Sequence, residues 1–250
     1  MKKLLFLFSC CILLSSAHVS KFDVGPAEFY GAWTTEVEVD GQAYESIKIY
    51  TQDYFIYGLY AKKDSSFYAA GGGTWVMTKK GIAETFEFHS NDSSMVGTTL
   101  AITISLKENA PMETQVMKNN KVDKLVWMRL DKGDSPLFGA WRITQRERNG
   151  TMSQMKMGPR KTMKVLSGTR FQWAAYNVET KAFMGTGGGS YTAVDGKYTE
   201  NIGFFSRDNS RVGASLQFDY EIDGNDWHHK GLSSKGQPIN EIWTKQLPAQ

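Results

Sequence analysis

The chain has 250 residues, of which 41% are hydrophobic and 22% are charged, and its formal net charge is +3. Two of its 29 Lys and Arg residues, Lys2 and Lys3, lie at the very start, so the rest of the chain is close to +1 against 26 Asp and Glu residues. Such a balance gives no indication of nucleic acid or of an anionic membrane as a partner. We therefore expect neither as a partner.

Residues 1–20 have the pattern of a signal peptide. A basic start is followed by an apolar run over residues 4–14 and by small residues that end at Ala17. The run is shorter than the roughly 20 residues that cross a bilayer. We expect cleavage near Ala17 and export, to the periplasm or outside the cell. The alternative is a lipoprotein anchored at Cys10 or Cys11, the only two cysteines, so the mature chain would have no disulfides.

The rest of the chain is an internal duplication. The segment Phe-Tyr-Gly-Ala-Trp at residues 29–33 returns at residues 137–141 as Leu-Phe-Gly-Ala-Trp, an offset of 108 positions. From Phe55 and Phe171 onward the offset stays at 116, so the second copy has gained eight residues, around residues 149–161. A repeat of about 110 residues is the size of a small domain and is far longer than a solenoid unit of roughly 20–50 residues.

Two domains follow from this repeat, at residues 27–131 and 137–247, with a polar linker at residues 132–136. Within both, strand-like runs recur every ~8–12 residues and are separated by Asp, Asn and Gly. In chain order, turn signals lie at residues 39–41, 91–94, 167–169, 208–210 and 223–225. The predicted fold class is all-β, with two tandem antiparallel up-and-down barrels of about eight or nine strands each. A sandwich is the alternative.

Side-chain alternation separates the two faces of one predicted strand in each copy. One face carries Ile82, Glu84, Phe86 and Phe88 in the first copy, and Tyr198, Glu200, Ile202 and Phe204 in the second. Because this face is apolar, we expect it to point into the barrel. A buried carboxylate costs several kcal/mol unless it is paired or protonated. Glu84 and Glu200 should therefore either pair with a cation, for which we expect Arg129 and Lys245, or anchor the polar group of a ligand.

Both copies resemble the lipocalin-like, or calycin, barrels. The mark of that family is Gly-x-Trp on the first strand, whose Trp closes the barrel floor beneath an Arg of the last strand. Trp33 and Trp141 end two such motifs here, and the last predicted strands supply Arg129 and Lys245. A Trp ring under a guanidinium is stabilised by cation–π attraction and by packing of the side-chain stem. The resemblance implies two structural floors, Trp33 with Arg129 and Trp141 with Lys245, although Lys245 departs from the usual Arg.

More closely, the sequence looks like the duplicated lipocalin-like domains of secreted proteins from Bacteroidetes-type bacteria. The segments that carry this likeness are Gly-Gly-Gly-Thr-Trp at residues 71–75 and Gly-Gly-Gly-Ser-Tyr at residues 187–191. The resemblance covers nearly the whole mature chain and implies binding of small, mostly apolar ligands. Taken alone, the glycine triplets precede strands rather than helices, so they indicate a bulge or a barrel corner rather than a phosphate-binding loop.

The candidate ligand-binding residues are inward aromatic, apolar and acidic side chains: Tyr57, Glu84, Phe86, Trp173, Glu200 and Ile202. We expect no catalytic residues, no metal and no cofactor, because the sequence has no HExxH, CxxC or GxSxG motif. His228 and His229 are adjacent and would point to opposite faces of a strand. The methionines of the extra segment, Met155 among them, fit an apolar lid, with a Cu(I) site as the alternative.

The expected function is that of an exported, non-enzymatic binding protein in which each barrel holds a small apolar or amphipathic ligand. One alternative is a structural or adhesive envelope module whose barrels are filled by side chains. The other is a hydrolase or isomerase that uses one barrel only. The volume of the barrel interiors and the groups that line them separate these three interpretations.

Overall fold

The computed structural model describes residues 25–106, 110–118 and 121–247. The predicted signal peptide at residues 1–20, with Cys10 and Cys11, lies outside the described residues. Most of the described chain is β-strand, and its helices are three short 3-10 turns, at Pro26–Phe29, Ser93–Met95 and Asn209–Arg211. No helix among the described residues is long and apolar enough to cross a membrane.

The first repeat forms a closed barrel of eight strands. They are β1 (Gly31–Val39), β2 (Gln42–Tyr50), β3 (Tyr54–Ala61), β4 (Phe67–Thr78), β5 (Gly81–His89), β6 (Thr99–Ser105), β7 (Met112–Lys118) and β8 (Lys121–Asp131). Each strand pairs antiparallel with the next, and β8 pairs with β1 to close the barrel. Closure removes the free sheet edges that would otherwise invite pairing with other chains.

The second repeat forms a barrel with the same strand order and one extra strand. Its strands are β9 (Gly139–Arg148), β10 (Thr151–Gln154), β11 (Arg160–Leu166), β12 (Arg170–Asn177), β13 (Ala182–Val194), β14 (Lys197–Phe205), β15 (Ser215–Asp223), β16 (Asp226–Leu232) and β17 (Pro238–Lys245). The first half of β9 pairs with β11, and β9 also pairs with β17, which closes eight strands. Strand β10 pairs only with the second half of β9 and lies in the inserted segment. The predicted all-β class with two tandem up-and-down barrels is confirmed.

A β-bulge in β5 changes which side chains point inward. Gly73 of β4 pairs with Phe86, but the next residue, Gly72, pairs with Phe88, so Glu87 is the extra residue of the bulge. Phe86 packs inside the barrel, whereas Phe88 is turned to the outer face. The prediction that Phe88 shares the inward face of Glu84 is therefore wrong.

The same bulge recurs in the second barrel. Gly189 pairs with Ile202 and Gly188 pairs with Phe204, so the prediction of an inward Phe204 is wrong for the same reason. The backbones approach so closely here that a Cβ atom on Gly189 would lie 2.0 Å from the carbonyl oxygen of Asn201. The glycine triplets thus permit a bulge within a strand, as the sequence indicates.

The outward-turned aromatic rings form a third apolar core between the barrels. The rings of Phe88 and Tyr176 stack with centroids 4.8 Å apart, and Phe204 stacks on Tyr60 at 5.2 Å. The bulge residue Glu87 accepts hydrogen bonds from Tyr176 Oη at 2.5 Å and from Lys161 Nζ at 2.6 Å. In the ion pair at this interface, the first repeat therefore supplies the acidic residue, Glu87, and the second repeat supplies the basic residue, Lys161.

The last residue of β8, Asp131, is also attached to the second barrel. The carboxylate of Asp131 accepts hydrogen bonds from the backbone N–H of Gly168 at 2.8 Å and from the Thr169 hydroxyl at 2.7 Å. Burial would raise the pKa of Asp131, but these bonds, with others from Ser167 and Gly133, outweigh burial and lower it. Asp131 is thus held as a carboxylate at the junction.

Candidate functional site

Glu84 lies in the interior of the first barrel, bonded to two side chains. Its Oε1 accepts a hydrogen bond from Tyr50 Oη at 2.5 Å and lies 2.6 Å from Lys48 Nζ. Glu84 and Lys48 are both buried. Strands β2 and β5 are not neighbours, so this contact crosses the barrel interior. We expected Arg129 to pair with Glu84, but the cation that pairs with it in the structure is Lys48.

Glu200 occupies the equivalent place in the second barrel. Its Oε1 lies 2.6 Å from Lys164 Nζ and accepts a hydrogen bond from Tyr198 Oη at 2.9 Å. Lys164 follows Lys48 by the repeat offset of 116, so the ion pair is duplicated. The tyrosine that bonds the carboxylate is not duplicated, because Tyr50 comes from β2 in the first barrel and Tyr198 comes from β14 in the second. Lys245, expected as the partner of Glu200, lies elsewhere.

Both tyrosines act as hydrogen-bond donors to these carboxylates. Burial, the negative charge of Glu84 and the hydrogen bond to it raise the pKa of Tyr50 well above its usual value. Burial and Glu200 raise the pKa of Tyr198 in the same way. Each tyrosine therefore stays neutral over the physiological pH range and satisfies one oxygen of a buried carboxylate.

Aromatic rings surround the two lysine ammonium groups. Lys48 Nζ lies 5.1 Å from the centroid of the Phe55 ring. Lys164 Nζ lies 5.2 Å from each of the Trp227 and Trp243 rings. Ring faces attract cations and stabilise a charge that water cannot reach. The middle of each barrel is therefore a compensated ion pair inside an aromatic wall.

The tryptophan of each Gly-x-Trp motif is buried beside the cation that was expected for it. Trp33 Nε1 donates to the carbonyl oxygen of Phe29 at 2.9 Å, and the Arg129 guanidinium carbon lies 4.0 Å from the Trp33 ring centroid. In the second barrel, Trp141 Nε1 donates to a main-chain oxygen at 2.8 Å, and Lys245 Nζ lies 5.5 Å from the Trp141 ring. Desolvation lowers the pKa of Lys245. Both Trp rings are fully buried.

The other candidate ligand-binding residues pack in the cores of the two barrels. Phe86 packs edge-on to Phe55 with ring centroids 5.3 Å apart, and Ile202 belongs to the core of the second barrel. Tyr57 and Trp173 are only partly buried. The structure thus places all six candidates on the inward faces, in two groups of three.

The glycine triplets make room for two of these rings. A Cβ atom on Gly71 would lie 2.7 Å from a ring carbon of Tyr57, and one on Gly187 would lie 2.9 Å from Trp173 Nε1. Each ring therefore lies over the glycine of the neighbouring strand, in the same way in both barrels. The triplets shape the interior in addition to permitting the bulge.

A second polar cluster exists in the second barrel and was not predicted. Glu241 Oε1 lies 2.5 Å from Arg146 Nη2, and its Oε2 accepts a hydrogen bond from Trp243 Nε1 at 3.0 Å. His229 Nδ1 lies 3.8 Å from the same Oε2, too far for a hydrogen bond. Leu125 stands at the corresponding position of the first copy, so Glu241 has no acidic counterpart there.

His229 is buried without hydrogen bonds. Among the described residues, neither of its ring nitrogens has a partner, and Trp227 Nε1 has none either. Burial, with the positive charge of Lys164, holds the pKa of His229 well below its usual value, so the ring is neutral at pH 7. A neutral imidazole offers one donor and one acceptor, and the indole offers one donor. The interior therefore presents three polar atoms that the protein leaves unbonded.

The lysines of the two ion pairs could have been found from the sequence. Lys48 and Lys164 stand at the same repeat offset as the glutamates, and each interrupts an apolar run: Ile47, Ile49 and Tyr50 around Lys48; Met163, Val165 and Leu166 around Lys164. A charge conserved between two copies inside an apolar strand indicates a buried partner. His229 gave no such signal because the first copy has no histidine there: Thr114 pairs with Leu125 as His229 pairs with Glu241.

The described residues contain no group of three or more His, Cys, Asp or Glu placed to hold a metal ion.

Comparison with protein families gives a match to a domain of unknown function, DUF4488, over residues 136–249, a little under half of the chain. No curated protein matches the sequence. The matched residues contain the whole second barrel, β9 to β17. The chain is therefore a tandem pair of eight-stranded barrels, of which the second is similar to DUF4488.

Proposed function

We propose that the protein is an exported, non-enzymatic binding protein whose barrels hold small, mostly apolar ligands. The observation that carries the proposal is the group of unbonded polar atoms in the second barrel, on His229 and Trp227. Buried donors and acceptors almost always have partners, and leaving one unbonded costs about 1–3 kcal/mol. A ligand that bonds these atoms recovers that free energy.

The surroundings of these atoms favour a ligand that is largely apolar. The His229 ring lies 4.1 Å from the Phe218 ring and 5.2 Å from the Trp227 ring, centroid to centroid. The charges in this part of the barrel are paired: Glu200 lies 2.6 Å from Lys164, and Glu241, whose Oε2 is 3.8 Å from His229 Nδ1, lies 2.5 Å from Arg146. A neutral, flat molecule with a few polar atoms fits such surroundings better than an ion does.

In both barrels we assign the walls of the site to the six inward residues named above. Tyr57 and Trp173 are partly exposed, whereas Phe86 and Ile202 are buried. Glu84 and Glu200 supply a polar end, each through the carboxylate oxygen that the lysine and tyrosine leave free. The first barrel has no counterpart of His229, so we expect it to select a less polar ligand.

Export rests on the N-terminal pattern of residues 1–20. A binding protein outside the cytoplasm would meet free small molecules directly. We assign no catalytic role, because the interior carboxylates and lysines are bound to each other rather than directed at a common reacting atom.

The proposal is tested by native mass spectrometry of the mature protein purified from its source. We expect a bound small molecule that is lost in the variant His229→Leu, while Val76→Ala, an exposed residue of the first barrel, retains it. Tryptophan fluorescence titrated with the recovered molecule should show saturable quenching. A source-purified protein that carries no adduct, or a recovered molecule that causes no saturable quenching, would contradict the proposal and favour a barrel filled by side chains.

A further inference from the structure

A cavity of about 560 Å³ lies at the side of the second barrel, where the inserted segment enters the sheet. Strand β10 takes the place of β11 beside the second half of β9, so the two strands separate there. Residues 153–159 cover the gap. The volume is in the range of small-molecule sites, roughly 300–1,000 Å³.

The cavity is lined by positive charges. Its basic residues are Arg142, Arg146, Arg148, Lys156, Arg160 and Lys161, and no Asp or Glu lines it. Clustering like charges is unfavourable unless something compensates them. The compensation within the protein is incomplete, as the partners of these residues show.

Three of the six basic residues are held by the protein. Arg142 Nη2 donates to the carbonyl oxygen of Gly158 at 2.7 Å, Arg146 pairs with Glu241, and Lys161 pairs with Glu87. These bonds fix the side chains in place around the cavity. Only two of the three partners are charged.

The other three basic residues, Arg148, Lys156 and Arg160, are exposed. None of them forms an ion pair within the part of the chain that the structure describes. Arg142 is bonded only to carbonyl oxygens, so among the described residues four basic residues of the cavity wall have no ion-pair partner.

The fold does not require these charges, because the first barrel has the same strands without them. The corresponding first-copy residues are Glu38 for Arg146, Asp40 for Arg148 and Glu45 for Lys161. Charge is thus reversed at three matched positions of two similar barrels. Arg146 and Lys161 have ion-pair partners within the protein, Glu241 and Glu87, whereas Arg148 has none among the described residues, so the reversed charge at Arg148 is the one that a ligand of the second copy explains.

The cavity also has an apolar side. Ile143 is buried in the core of the second barrel, and Met155 packs against that core. The backbone N–H of Met155 donates to the carbonyl oxygen of Thr144 at 2.7 Å, which fixes this side against β9. A ligand that fills the cavity would contact cations on one side and these apolar side chains on the other.

We propose that this cavity binds an organic anion, a molecule with a phosphate or carboxylate head and an apolar part. Guanidinium groups bind both heads through paired hydrogen bonds. This cavity is a different site from the proposed interior site, since neither His229 nor Trp173 lines it, and Arg146 connects the two through its ion pair with Glu241. It belongs to the second repeat alone.

Isothermal titration calorimetry of the mature protein with octyl phosphate and with octanoate tests the proposal. We expect saturable binding that weakens as salt is added. In the triple variant Arg148→Gln, Lys156→Gln, Arg160→Gln, affinity should fall at least about tenfold. The matched control Lys63→Gln, Lys79→Gln, Lys80→Gln removes three exposed lysine charges from the first barrel and should bind as the wild type does.

Four results would overturn the proposal. If uncharged octanol binds as tightly as octyl phosphate, the anionic head group does not contribute to binding. If inorganic phosphate alone binds as tightly as octyl phosphate, the apolar side of the cavity does not contribute. Unchanged affinity in the triple variant would place the anion elsewhere. The variant His229→Leu separates the two proposals: it should leave octyl phosphate binding unchanged, whatever happens to the interior ligand. Loss of octyl phosphate binding in that variant would place the anion inside the barrel and would also overturn the proposal.

Discussion

Lys164 Nζ and Glu200 Oε1 lie 2.6 Å apart across the interior of the second barrel. The same contact joins Lys48 to Glu84 in the first barrel, also at 2.6 Å. Each charge is buried at a place where it would be strongly unfavourable alone, so the two members of a pair depend on each other. Duplication of the repeat has kept both members together.

Removing one member of the pair should destabilise the second barrel. Glu200→Gln leaves the Lys164 ammonium buried without a carboxylate, and we expect a loss of about 3–5 kcal/mol in the free energy of unfolding. The double variant Glu200→Gln, Lys164→Met removes both charges and should recover much of that loss. Urea unfolding, followed by tryptophan fluorescence, measures the free energy of unfolding of the single and the double variant. A double variant no more stable than the single one would contradict the mutual dependence.

The bulge at the glycine triplet should tolerate no side chain. A Cβ atom on Gly189 would lie 2.0 Å from the carbonyl oxygen of Asn201, so Gly189→Ala should unfold the second barrel or lower its melting temperature sharply. Gly203→Ala is the matched control, because its Cβ would lie 3.4 Å from the nearest atom, an ordinary contact. Differential scanning calorimetry measures the melting temperatures of the two variants. Equal melting temperatures would show that the bulge is not needed.

The core between the barrels should couple their unfolding. Phe204→Ala removes the ring that stacks on Tyr60 and should cost about 3–5 kcal/mol, the range for truncating a buried Phe. Because Phe204 lies between the barrels, we expect one cooperative thermal transition in the wild type to separate into two in the variant. Phe86→Ala, a truncation inside the first barrel, should lower stability without that separation. A single transition in Phe204→Ala would contradict the coupling.

His229 should make the protein less stable in acid. Its pKa is lowered in the folded state, so the unfolded chain takes up a proton that the folded barrel does not, once the pH falls below the ordinary His value of about 6.5. The stability present above that pH is lost as pH falls towards the folded pKa, by at most about 1.4 kcal/mol per pH unit.

The variant His229→Leu should lose this dependence. Unfolding free energies of wild type and variant, measured in urea at a series of pH values between neutral and mildly acidic, give the two slopes. His228 is the neighbour on the opposite face, and His228→Leu is the control that should keep the wild-type slope. Parallel slopes for wild type and His229→Leu would show that another group causes the acid sensitivity.

Local pattern in the sequence determined the strands, the repeat and the inward placement of Glu84 and Glu200. Alternation along a strand is a property of the backbone pleat, so it can be read without knowing the neighbours. The motif around Trp33 likewise needed only the matched spacing of the two copies. These features depend on residues close together in the chain.

What only the tertiary structure decided depends on register and closure. Phe88 faces the second barrel because a bulge, visible only in the pairing of β4 with β5, reverses its side. Lys48 reaches Glu84 because barrel closure brings β2 opposite β5, strands that are not neighbours in the sheet. The basic cavity likewise exists because β10 displaces β11 from the side of β9. Pairing between strands distant in the chain sets these positions, and side-chain periodicity within one strand carries no information about it.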